Sequence, residues 1–563
     1  MNSLFFLGIG GWHHDAAAAI VRDGRIVAAA EEERFTRVKH QRGVPRRAIE
    51  YCLKKAGVKM EDLGGAGVFF VPADAVFAAL RLATRRLVRG GPFGIAHSGY
   101  DVCRGWRLFC EMQEALLHCP KVRFFGHHLT HAAAALRLST FERTAVLSVD
   151  ELGEIQSTWW GRGDRGTLEP MGAVDYPHSL GKLYSAVSQH LGFEELEEFR
   201  VMGLAAYGTP ALVERFRRLV RLTPDGFDLD LDFFNFPHRP TREGMTSDRF
   251  VREFGRPRRA DEELNDRHQD LAFAVQAVLE EAMIHFARIV HRRTQEENLC
   301  LTGGVALNCL ANGRVVREGP FKNVFVPFAA GDAGCAVGAA FMAEAELGGP
   351  LPPSAPGHPF VGPEYTNSEI EDALKRAGVP YTRPKSVVKT TAEEIARGRI
   401  VGRFAGPMEF GPRALGHRSI LADPRRAENA DRINRAIKWR EPFRPFAPSV
   451  PEERAGEHFE GTPSPYMAVV LKVKAKSREL LPAVTHRDGT ARVQAVRREW
   501  DPEFHALHLD FEKASGVPVL LNTSFNVKGE PIVCTPDDAL ATYLKTGLDA
   551  MAIGPFWLKK AAR

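Results

Sequence analysis

Apolar runs separated by short polar turns open the chain. Apolar residues dominate 4–9, 16–21 and 26–30, and Asp23-Gly24 stands between the second and third runs. An Asp-Gly pair between two apolar runs is a strong hairpin signal. The pattern therefore predicts three strands, and the helical spacing of apolar residues over 45–56 predicts a helix after them.

The same arrangement returns near residue 144. An apolar run over 144–149 ends at Asp150, a turn with Gly153 follows, and 157–160 again has the pattern of a strand. Two segments that both open with strand, polar turn and strand indicate a duplicated α/β unit, which is the plan of actin-like ATPases. Two unrelated hairpins are the alternative interpretation.

Proline and glycine are concentrated over 348–366, which predicts a linker. We therefore predict a first domain over 1–347 and a second over 367–563. Since domains usually have about 100–200 residues, a chain of 563 residues suits two large domains or three ordinary ones.

Composition narrows the function classes. Hydrophobic residues make up 44% and charged residues 26%, as in a globular protein, and the net charge of +5 argues against a nucleic-acid partner. No apolar run reaches the length of a membrane span, and the N-terminus lacks the pattern of a signal peptide. Eight cysteines without a CxxC pair predict reduced thiols and a cytoplasmic location.

Two histidines in an alanine-rich segment are metal-ligand candidates. His127 and His131 are four residues apart, so on a helix they share one face and suit one metal ion. Asp150 ends a strand pattern at a turn, and Asp332 lies in a glycine-flanked loop. Both are therefore candidate carboxylate ligands. The alternatives are helix-terminal histidines and capping aspartates.

Other polar turns of the first domain carry candidate chemistry. Gly303-Gly304 lies between a strand pattern and a helix pattern, where backbone N–H groups can approach a phosphate; a purely structural turn is the alternative. His14 follows the first strand and could act as general base to a hydroxyl; a surface histidine is the alternative. In the second domain, nine Lys and Arg but four acids over 413–444 predict an anion site, whereas a solvated face is the alternative.

Together these segments resemble the carbamoyltransferase family of nodulation and antibiotic-tailoring enzymes, which includes cephamycin, novobiocin and tobramycin carbamoyltransferases of secondary metabolism. The matching stretches run along nearly the whole chain. They are His14–Ala17, Glu31–Phe35, Gly126–His128 with His131-Ala132, Val201–Ala205, Gly303–Asn308, Glu409–Gly416, Phe443–Pro448, Ser464–Met467, Asp488–Arg492 and Leu521–Asn526.

The resemblance implies an α/β actin-like ATPase domain of the threonylcarbamoyl-transfer type, followed by an α+β YrdC-like domain. It implies that the second domain makes carbamoyl-adenylate from carbamoyl phosphate and ATP with Mg²⁺. The first domain, with Fe²⁺ or another divalent metal, then transfers the carbamoyl group to a small-molecule hydroxyl acceptor, such as a natural product or a sugar. It also allows a homodimer, with neither nucleic acid nor membrane as partner.

The resemblance also implies roles for individual residues. The implied metal ligands are His127, His131, Asp150 and Asp332, and the implied catalytic residues are His14, Asp15, Lys438 and Arg444. Nucleotide-binding positions in the first domain are Gly153, Gly303, Gly304 and Asn308. The residues implied to bind carbamoyl phosphate and ATP in the second domain are Arg413, Arg418, Lys438, Arg444, Arg492, Asn522 and Ser524. Departures from the family pattern are Glu151, Arg200 and His417.

Three other functions compete with this interpretation: a tRNA threonylcarbamoyladenosine-type modification enzyme, a catalytically inactive nucleotide-binding regulator, and a sugar kinase. The acceptor pocket is a separate hypothesis. Phe93 and Trp106 lie in an aromatic and Arg-rich region that could shape it, although core packing is the alternative.

Overall fold

The structure is a computed structural model, and it describes residues 4–11, 13–71, 106–164, 166–237, 244–352 and 357–560. The chain divides into two units. The first unit consists of Met1–Glu32 and His40–Gly357, and the second of Glu33–Lys39 and His358–Arg563.

Helices and strands are interspersed along the described part of both units. The strands are β1 (Phe6–Gly10), β2 (Ala17–Arg22), β3 (Arg25–Glu31), β4 (Gly65–Val68), β5 (Val122–Phe124), β6 (Arg143–Gly153), β7 (Gln156–Asp164), β8 (Thr167–Asp175), β9 (Val220–Thr223), β10 (Gly226–Leu229), β11 (Asn298–Thr302), β12 (Asn323–Phe325), β13 (Val401–Phe404), β14 (Arg418–Ala422), β15 (Ala447–Pro451), β16 (Phe459–Glu460), β17 (Val470–Val473), β18 (Thr490–Arg492), β19 (Gln494–Val496), β20 (Leu520–Ser524), β21 (Ala550–Ile553) and β22 (Phe556–Lys559). The α-helices are α1 (Glu33–Thr36), α2 (Arg46–Ala56), α3 (His127–Leu138), α4 (Leu180–His190), α5 (Glu198–Ala205), α6 (Val213–Arg217), α7 (Asp248–Phe254), α8 (Asp266–Thr294), α9 (Cys309–Glu318), α10 (Ala333–Gly348), α11 (Asn367–Ala377), α12 (Val387–Ala396), α13 (Glu428–Ile433), α14 (Ala475–Arg478), α15 (Pro502–Ser515) and α16 (Pro536–Lys545).

The first unit contains two five-stranded sheets with the same topology. Their strand orders are β3-β2-β1-β4-β5 and β8-β7-β6-β11-β12. In each sheet, three strands that are consecutive in the chain pair antiparallel to one another. Two later strands then run parallel to the earliest of the three, which is β1 in one sheet and β6 in the other. The duplicated α/β plan predicted from the sequence is therefore confirmed within this unit.

Small residues bring two helices of the first unit close to its strands and to each other. A side chain at Gly8 of β1 would lie 1.9 Å from the carbonyl oxygen of Ala336, and one at Gly338 would lie 1.8 Å from that of Thr130. Because only glycine fits at such distances, α10 packs directly on β1 and on α3. This packing places the start of α10 beside the histidines of α3.

The second unit is built on a seven-stranded mixed sheet in the order β19-β15-β20-β14-β13-β21-β22, with a three-stranded sheet β16-β17-β18. Leu507 and Phe511 of α15 and Ile395 of α12 are buried against strand residues such as Val401 and Leu520. This core holds the ends of β14 and β20 in place, where several predicted site residues lie.

A short segment from the N-terminal part of the sequence, Glu33–Lys39, belongs to the second unit. Phe35 packs against the cluster of Met408, Ala414, Ile532 and Cys534. Arg34 donates to the carbonyl oxygen of Gly411 at 3.0 Å, and Arg37 donates to those of Ile532 at 2.7 Å and Pro531 at 2.9 Å. We call these seven residues the docking segment.

Some predicted elements differ in detail. The alternation of polar and apolar residues over 492–496 is typical of one strand, but this segment is split, because β18 joins the three-stranded sheet while β19 pairs with β15. Within the predicted linker, Phe360 forms a bridge with Glu409 and stacks on His417 with ring centroids 3.9 Å apart. Trp106 is exposed, and Phe93 lies outside the described residues.

Candidate active sites

In the first unit, the four predicted metal ligands come from three neighbouring elements. His127 and His131 lie one turn apart on α3, Asp150 lies near the end of β6, and Asp332 immediately precedes α10. All four are buried. The close packing of α3 and α10 described above therefore converges their side chains on one point.

The donor atoms have the spacing of ligands around one ion. The Nε2 atoms of His127 and His131 are 3.1 Å apart, and Asp150 Oδ2 lies 3.4 and 3.1 Å from them. Asp332 Oδ1 lies 3.7 and 3.6 Å from the same two nitrogens. Ligands about 2.1 Å from a tetrahedral or octahedral ion are about 3.0–3.4 Å apart, so these residues fit a divalent metal.

Charges within the group stabilise one another. Burial alone would raise the pKa of Asp150, but hydrogen bonds from His127 and His131 hold it well below its ordinary value. Burial would lower the pKa of His131, yet Cys335, Asp150 and Asp332 raise it well above its usual range. A carboxylate pair beside imidazoles is a strongly cation-attracting environment.

Cys335 is a further donor that the sequence analysis missed. It lies three residues after Asp332, on the first turn of α10, and its side chain is fully buried. Its sulfur and donor atoms of His127, His131 and Asp332 all lie within 4.8 Å of one another. The three-residue spacing from Asp332 was the available signal, because residues i and i+3 share a helix face.

His14 lies next to this group and is oriented by Asp15. His14 Nδ1 is 3.1 Å from Asp15 Oδ2, and the other oxygen of Asp15 is 2.7 Å from Nδ1 of His40. His14 Nε2 lies 3.6 Å from Asp332 Oδ2. Burial lowers the pKa of His14, but Asp332 and Asp15 outweigh it and raise this pKa to about 10.

The predicted nucleotide-binding residues of the first unit take two kinds of position. A side chain at Gly153 would meet the His127 ring at 2.7 Å, and the N–H of Gly304 donates to Asp150 Oδ2 at 2.9 Å. Gly303 has a positive φ of 89°, which turns the chain after β11. Asn308 instead accepts from the first turn of α9 and exchanges hydrogen bonds with Gln276.

In the second unit, Lys438 is buried at the end of a π-helical turn, Asn434–Lys438. Its ammonium group donates to the hydroxyl of Ser524 at 3.1 Å, to Asn526 Oδ1 at 2.6 Å and to the Ser524 carbonyl. Burial, Arg440, Arg444 and Lys39 lower its pKa well below the ordinary lysine value. Because these hydrogen-bond partners are all neutral, an anion nearby would stabilise the protonated form of the amine.

Further cations surround Lys438. Burial, Arg444 and Arg492 hold the pKa of Arg440 well below its ordinary value. Arg492 Nε is buried and has no hydrogen-bond partner in the part of the chain that the structure describes. Glu441 lies 4.0 Å from Arg444. We call Lys438, Arg440, Arg444 and Arg492 the cation cluster.

The remaining predicted anion-site residues fall into distinct places. Asn522 lies on β20, donates to Gln494 at 2.7 Å and leaves its own Oδ1 buried without a partner among the described residues. Arg418 is fully buried, and its guanidinium donates to backbone carbonyls and lies 3.7 Å above the Phe404 ring. Arg413 lies half-buried in the loop between β13 and β14.

The three departures from the family pattern each have a partner within their own unit. Glu151 forms an ion pair with Lys182 at 2.8 Å, and Arg200 pairs with Glu197. His417 Nε2 lies 3.0 Å from Asp501 Oδ2. These side chains are thus integrated into local networks.

The geometry defines a mixed α/β protein with a metal-competent group in one unit and a cation cluster in the other. A family model described as Carbamoyltransferase N-terminus matches residues 6–76 and 108–341, and one described as Carbamoyltransferase C-terminus matches residues 392–560. The chain belongs to the carbamoyltransferase family of enzymes.

Relatives agree with this assignment. Nodulation protein NolNO of Sinorhizobium fredii is 40% identical over 97% of this chain and 79% of its own. An uncharacterized protein of Synechocystis is also 40% identical, over 99% and 97%. The 3'-hydroxymethylcephem-O-carbamoyltransferase of Amycolatopsis lactamdurans is 35% identical over 49% of this chain and 52% of its own.

Solved structures give weaker likenesses. HypF of T. kodakarensis matches 61% of this chain and 48% of its own, with 16% identity and a TM-score of 0.32. A TM-score this low supports no conclusion about the fold.

Among the described residues, no helix is both long and apolar enough to cross a membrane.

Proposed function

We propose that this protein is an ATP-dependent O-carbamoyltransferase that works in two steps. Carbamoyl phosphate is hydrolysed to carbamate and phosphate, and carbamate attacks ATP to give carbamoyl-adenylate and pyrophosphate. A small-molecule hydroxyl then attacks the carbamoyl carbon, which gives the carbamate ester and AMP. The single observation that carries this proposal is the cation cluster, in which Arg440, Arg444 and Arg492 gather positive charge around the buried Lys438.

The cation cluster supports the adenylation step in the second unit. Lys438 and Arg444 would bind the phosphate oxygens of carbamoyl phosphate and ATP, because both reactants are polyanions. Arg492 Nε and Asn522 Oδ1 are a buried donor and a buried acceptor without partners among the described residues. A carbamate, which presents both oxygens and an N–H₂ group, would satisfy both kinds of group.

The donor group around His127 and His131 supports the transfer step in the first unit. When bound there, a divalent metal such as Fe²⁺ supplies positive charge that holds nucleotide phosphates and offsets the charge of Asp332. His127, His131, Asp150 and Asp332 would hold it, and Asp150 is oriented by the N–H groups of Glu151 at 2.6 Å and of Gly304 at 2.9 Å.

His14 would receive the proton of the acceptor hydroxyl at Nε2. Asp15 holds the opposite ring nitrogen, which fixes the orientation of the imidazole as carboxylates do beside catalytic histidines. The charge of Asp332 opposes loss of the proton that His14 carries, so neutralisation of Asp332 favours the base form of His14.

The test is a half-reaction without acceptor. The purified protein is incubated with ATP, Mg²⁺ and carbamoyl phosphate, and AMP and pyrophosphate are quantified. We expect AMP formation that depends on carbamoyl phosphate and falls at least about 100-fold in Lys438→Ala, which removes a charge that stabilises the transition state. Lys513→Ala, which removes an exposed lysine paired with Asp510, is the matched control.

Other products would assign the protein to another class. ADP in place of AMP would indicate a kinase, and AMP that requires threonine and bicarbonate would indicate a tRNA threonylcarbamoyl-type enzyme. The absence of turnover in metal-loaded protein would indicate a nucleotide-binding regulator. Each of these outcomes contradicts the proposal.

A further inference from the structure

Glu151 places another carboxylate beside the metal-competent group. It directly follows Asp150 in β6, where the pairing of β6 with β7 changes register between Val149 and Gly153. Such irregularities re-aim side chains and are over-represented next to active sites. The side chain of Glu151 is 35% exposed, whereas Asp150 is buried. Glu151 is therefore a negative charge at the edge of the group, outside the set of four predicted ligands.

The charge of Glu151 acts on neighbouring groups. Burial lowers the pKa of His14, but carboxylates led by Asp332 raise it, and Glu151 is one of them. Burial raises the pKa of Glu198, and Glu151 raises it further. Under the proposed function, on which this inference rests, nucleotide phosphates bind in the same region. A carboxylate without a counter-ion would repel them, because like charges repel strongly where little water screens them.

Lys182 is the counter-ion of Glu151. Its ammonium group lies 2.8 Å from Glu151 Oε2, and its side chain is only 16% exposed. Burial alone would lower the pKa of Lys182, but acidic groups led by Glu151 raise it. Lys182 therefore keeps its proton, and the pair as a whole carries no net charge.

Backbone contacts hold this ion pair in place. Lys182 lies on the first turn of α4, and its N–H donates to the hydroxyl of Ser179 at 3.0 Å. The same hydroxyl donates to the carbonyl oxygen of Glu151 at 2.7 Å. A side chain at Gly181 would lie 2.6 Å from the Cα atom of Glu151, so only glycine permits this approach. The start of α4 is thus fastened to the turn that carries Asp150 and Glu151.

We infer that Lys182 is a positioning residue that acts through Glu151: it neutralises this carboxylate and thereby allows a nucleotide phosphate to bind at the metal-competent group. Two other roles lead to different expectations. If Lys182 contacted the phosphate itself, its loss would weaken binding whatever residue stood at position 151. If the ion pair only stabilised the fold, ligands with and without a phosphate would be affected alike.

A double-mutant cycle with AMP and adenosine separates these roles. The full-length protein is titrated with each ligand in the presence of Co²⁺. Hydrogen–deuterium exchange with mass spectrometry over 150–156 and 302–308 then reports binding to the first unit alone. We expect Lys182→Met to weaken AMP binding at least about 10-fold, because the charge of Glu151 is then unbalanced.

The other two corners of the cycle carry the inference. Glu151→Gln should bind AMP at least as tightly as the unmodified protein, since the charge of Lys182 then attracts the phosphate. The double variant should return to within about 3-fold of the unmodified protein, because neither charge remains. The affinity for adenosine, which lacks the phosphate charge, should change by less than about 2-fold in all three variants.

An exposed ion pair of the same unit supplies the matched control. Lys322 lies 2.6 Å from Glu297, and Lys322→Met should leave AMP affinity unchanged. Lys182→Gln replaces Lys182→Met in the cycle if the methionine variant folds poorly. A double variant that stays as weak as the single lysine variant would overturn the inference and indicate direct contact with the phosphate. Equal losses for AMP and adenosine, weaker AMP binding by Glu151→Gln, or no loss in the lysine variant would also overturn it.

The cycle also separates this inference from the proposed function. It requires neither carbamoyl phosphate nor an acceptor, so an intact cycle together with a failed half-reaction would count against the proposed function alone. AMP formation in the half-reaction without restoration in the double variant would count against the role of Lys182 alone. Absence of AMP-dependent protection in the unmodified protein would overturn the inference and also contradict the proposed transfer step in the first unit.

Discussion

At the scale of single residues, Lys438 has an unusual balance of charge. Its hydrogen-bond partners Ser524 and Asn526 are neutral, and burial with nearby cations lowers its pKa. A bound anion stabilises the protonated amine and therefore raises this pKa. We expect pyrophosphate binding to take up as much as about one proton per chain at a pH between the pKa values of the free and bound forms.

Isothermal calorimetry in buffers with different heats of ionisation, at one pH, measures this uptake. The uptake should vanish below the pKa of the free form, where Lys438 is already protonated, and above that of the bound form. Lys438→Met should remove it, and Lys513→Met should not. Equal uptake in the unmodified protein and in Lys438→Met would show that another group titrates.

Arg418 offers a second prediction at this scale. Its guanidinium donates to the carbonyls of Ala405 at 2.6 Å and Pro363 at 3.1 Å, and it lies over the ring of Phe404. A lysine cannot make this fork of hydrogen bonds. We expect Arg418→Lys to destabilise the second unit by about 2–3 kcal/mol, measured by denaturant unfolding, with the exposed Arg435→Lys as control.

The Arg418 experiment also distinguishes a structural role from anion binding. If Arg418 holds the loop between β13 and β14, folded Arg418→Lys protein should keep its affinity for pyrophosphate. A large loss of affinity with unchanged stability would instead place Arg418 in the anion site.

At the scale of elements, the docking segment packs within the second unit, although the rest of that unit begins only at His358. Phe35 contributes its ring to the cluster around Met408 and Ile532. Loss of a partly buried phenylalanine ring costs about 1–3 kcal/mol, because it leaves apolar surface uncovered. We expect Phe35→Ala to speed hydrogen exchange over 408–415 and 531–534.

Hydrogen–deuterium exchange with mass spectrometry measures this local change. Val38→Ala is the matched control, since Val38 belongs to the same segment but is 56% exposed. Equal exchange in both variants would mean that Phe35 contributes nothing to the stability of this cluster.

At the scale of the whole molecule, the metal-competent group lies in the first unit and the cation cluster in the second. Each ligand should therefore stabilise its own unit, by about 2.7 kcal/mol at a concentration 100 times its dissociation constant. We expect Co²⁺ to slow exchange in the first unit and pyrophosphate in the second. His131→Ala should abolish the first effect alone, and Lys438→Met the second alone; loss of both effects in either variant would contradict this independence.

Local patterns predicted much of the fold. β1, β2 and β3 were expected from apolar runs and an Asp-Gly turn, and they occur where the pattern placed them. The split between β18 and β19 was not expected, because alternation along a strand does not show which sheet it joins. The membership of the docking segment was likewise missed, since it depends on partners hundreds of residues away.

The site residues were likewise predicted only in part. His127 and His131 were recognisable from their helical spacing, and the structure brings them to Asp150 and Asp332. Cys335 was missed because it belongs to no CxxC pair, and its three-residue spacing from Asp332 becomes a signal only once both residues are placed at the start of one helix. The hydrogen bonds from Arg418 to backbone carbonyls could not be predicted either. The sequence shows that a residue is basic, but it does not show whether that residue binds a ligand or a carbonyl group of the protein.

The docking segment also sets a rule for recombining this protein with its relatives. A chimera joined at residue 357 would unite the C-terminal part of one parent with residues 33–39 of the other. Phe35 and Arg37 would then meet a cluster that evolved with different side chains. A designer who wishes to exchange the second unit intact must therefore transplant two stretches of gene, of which the shorter encodes only seven residues.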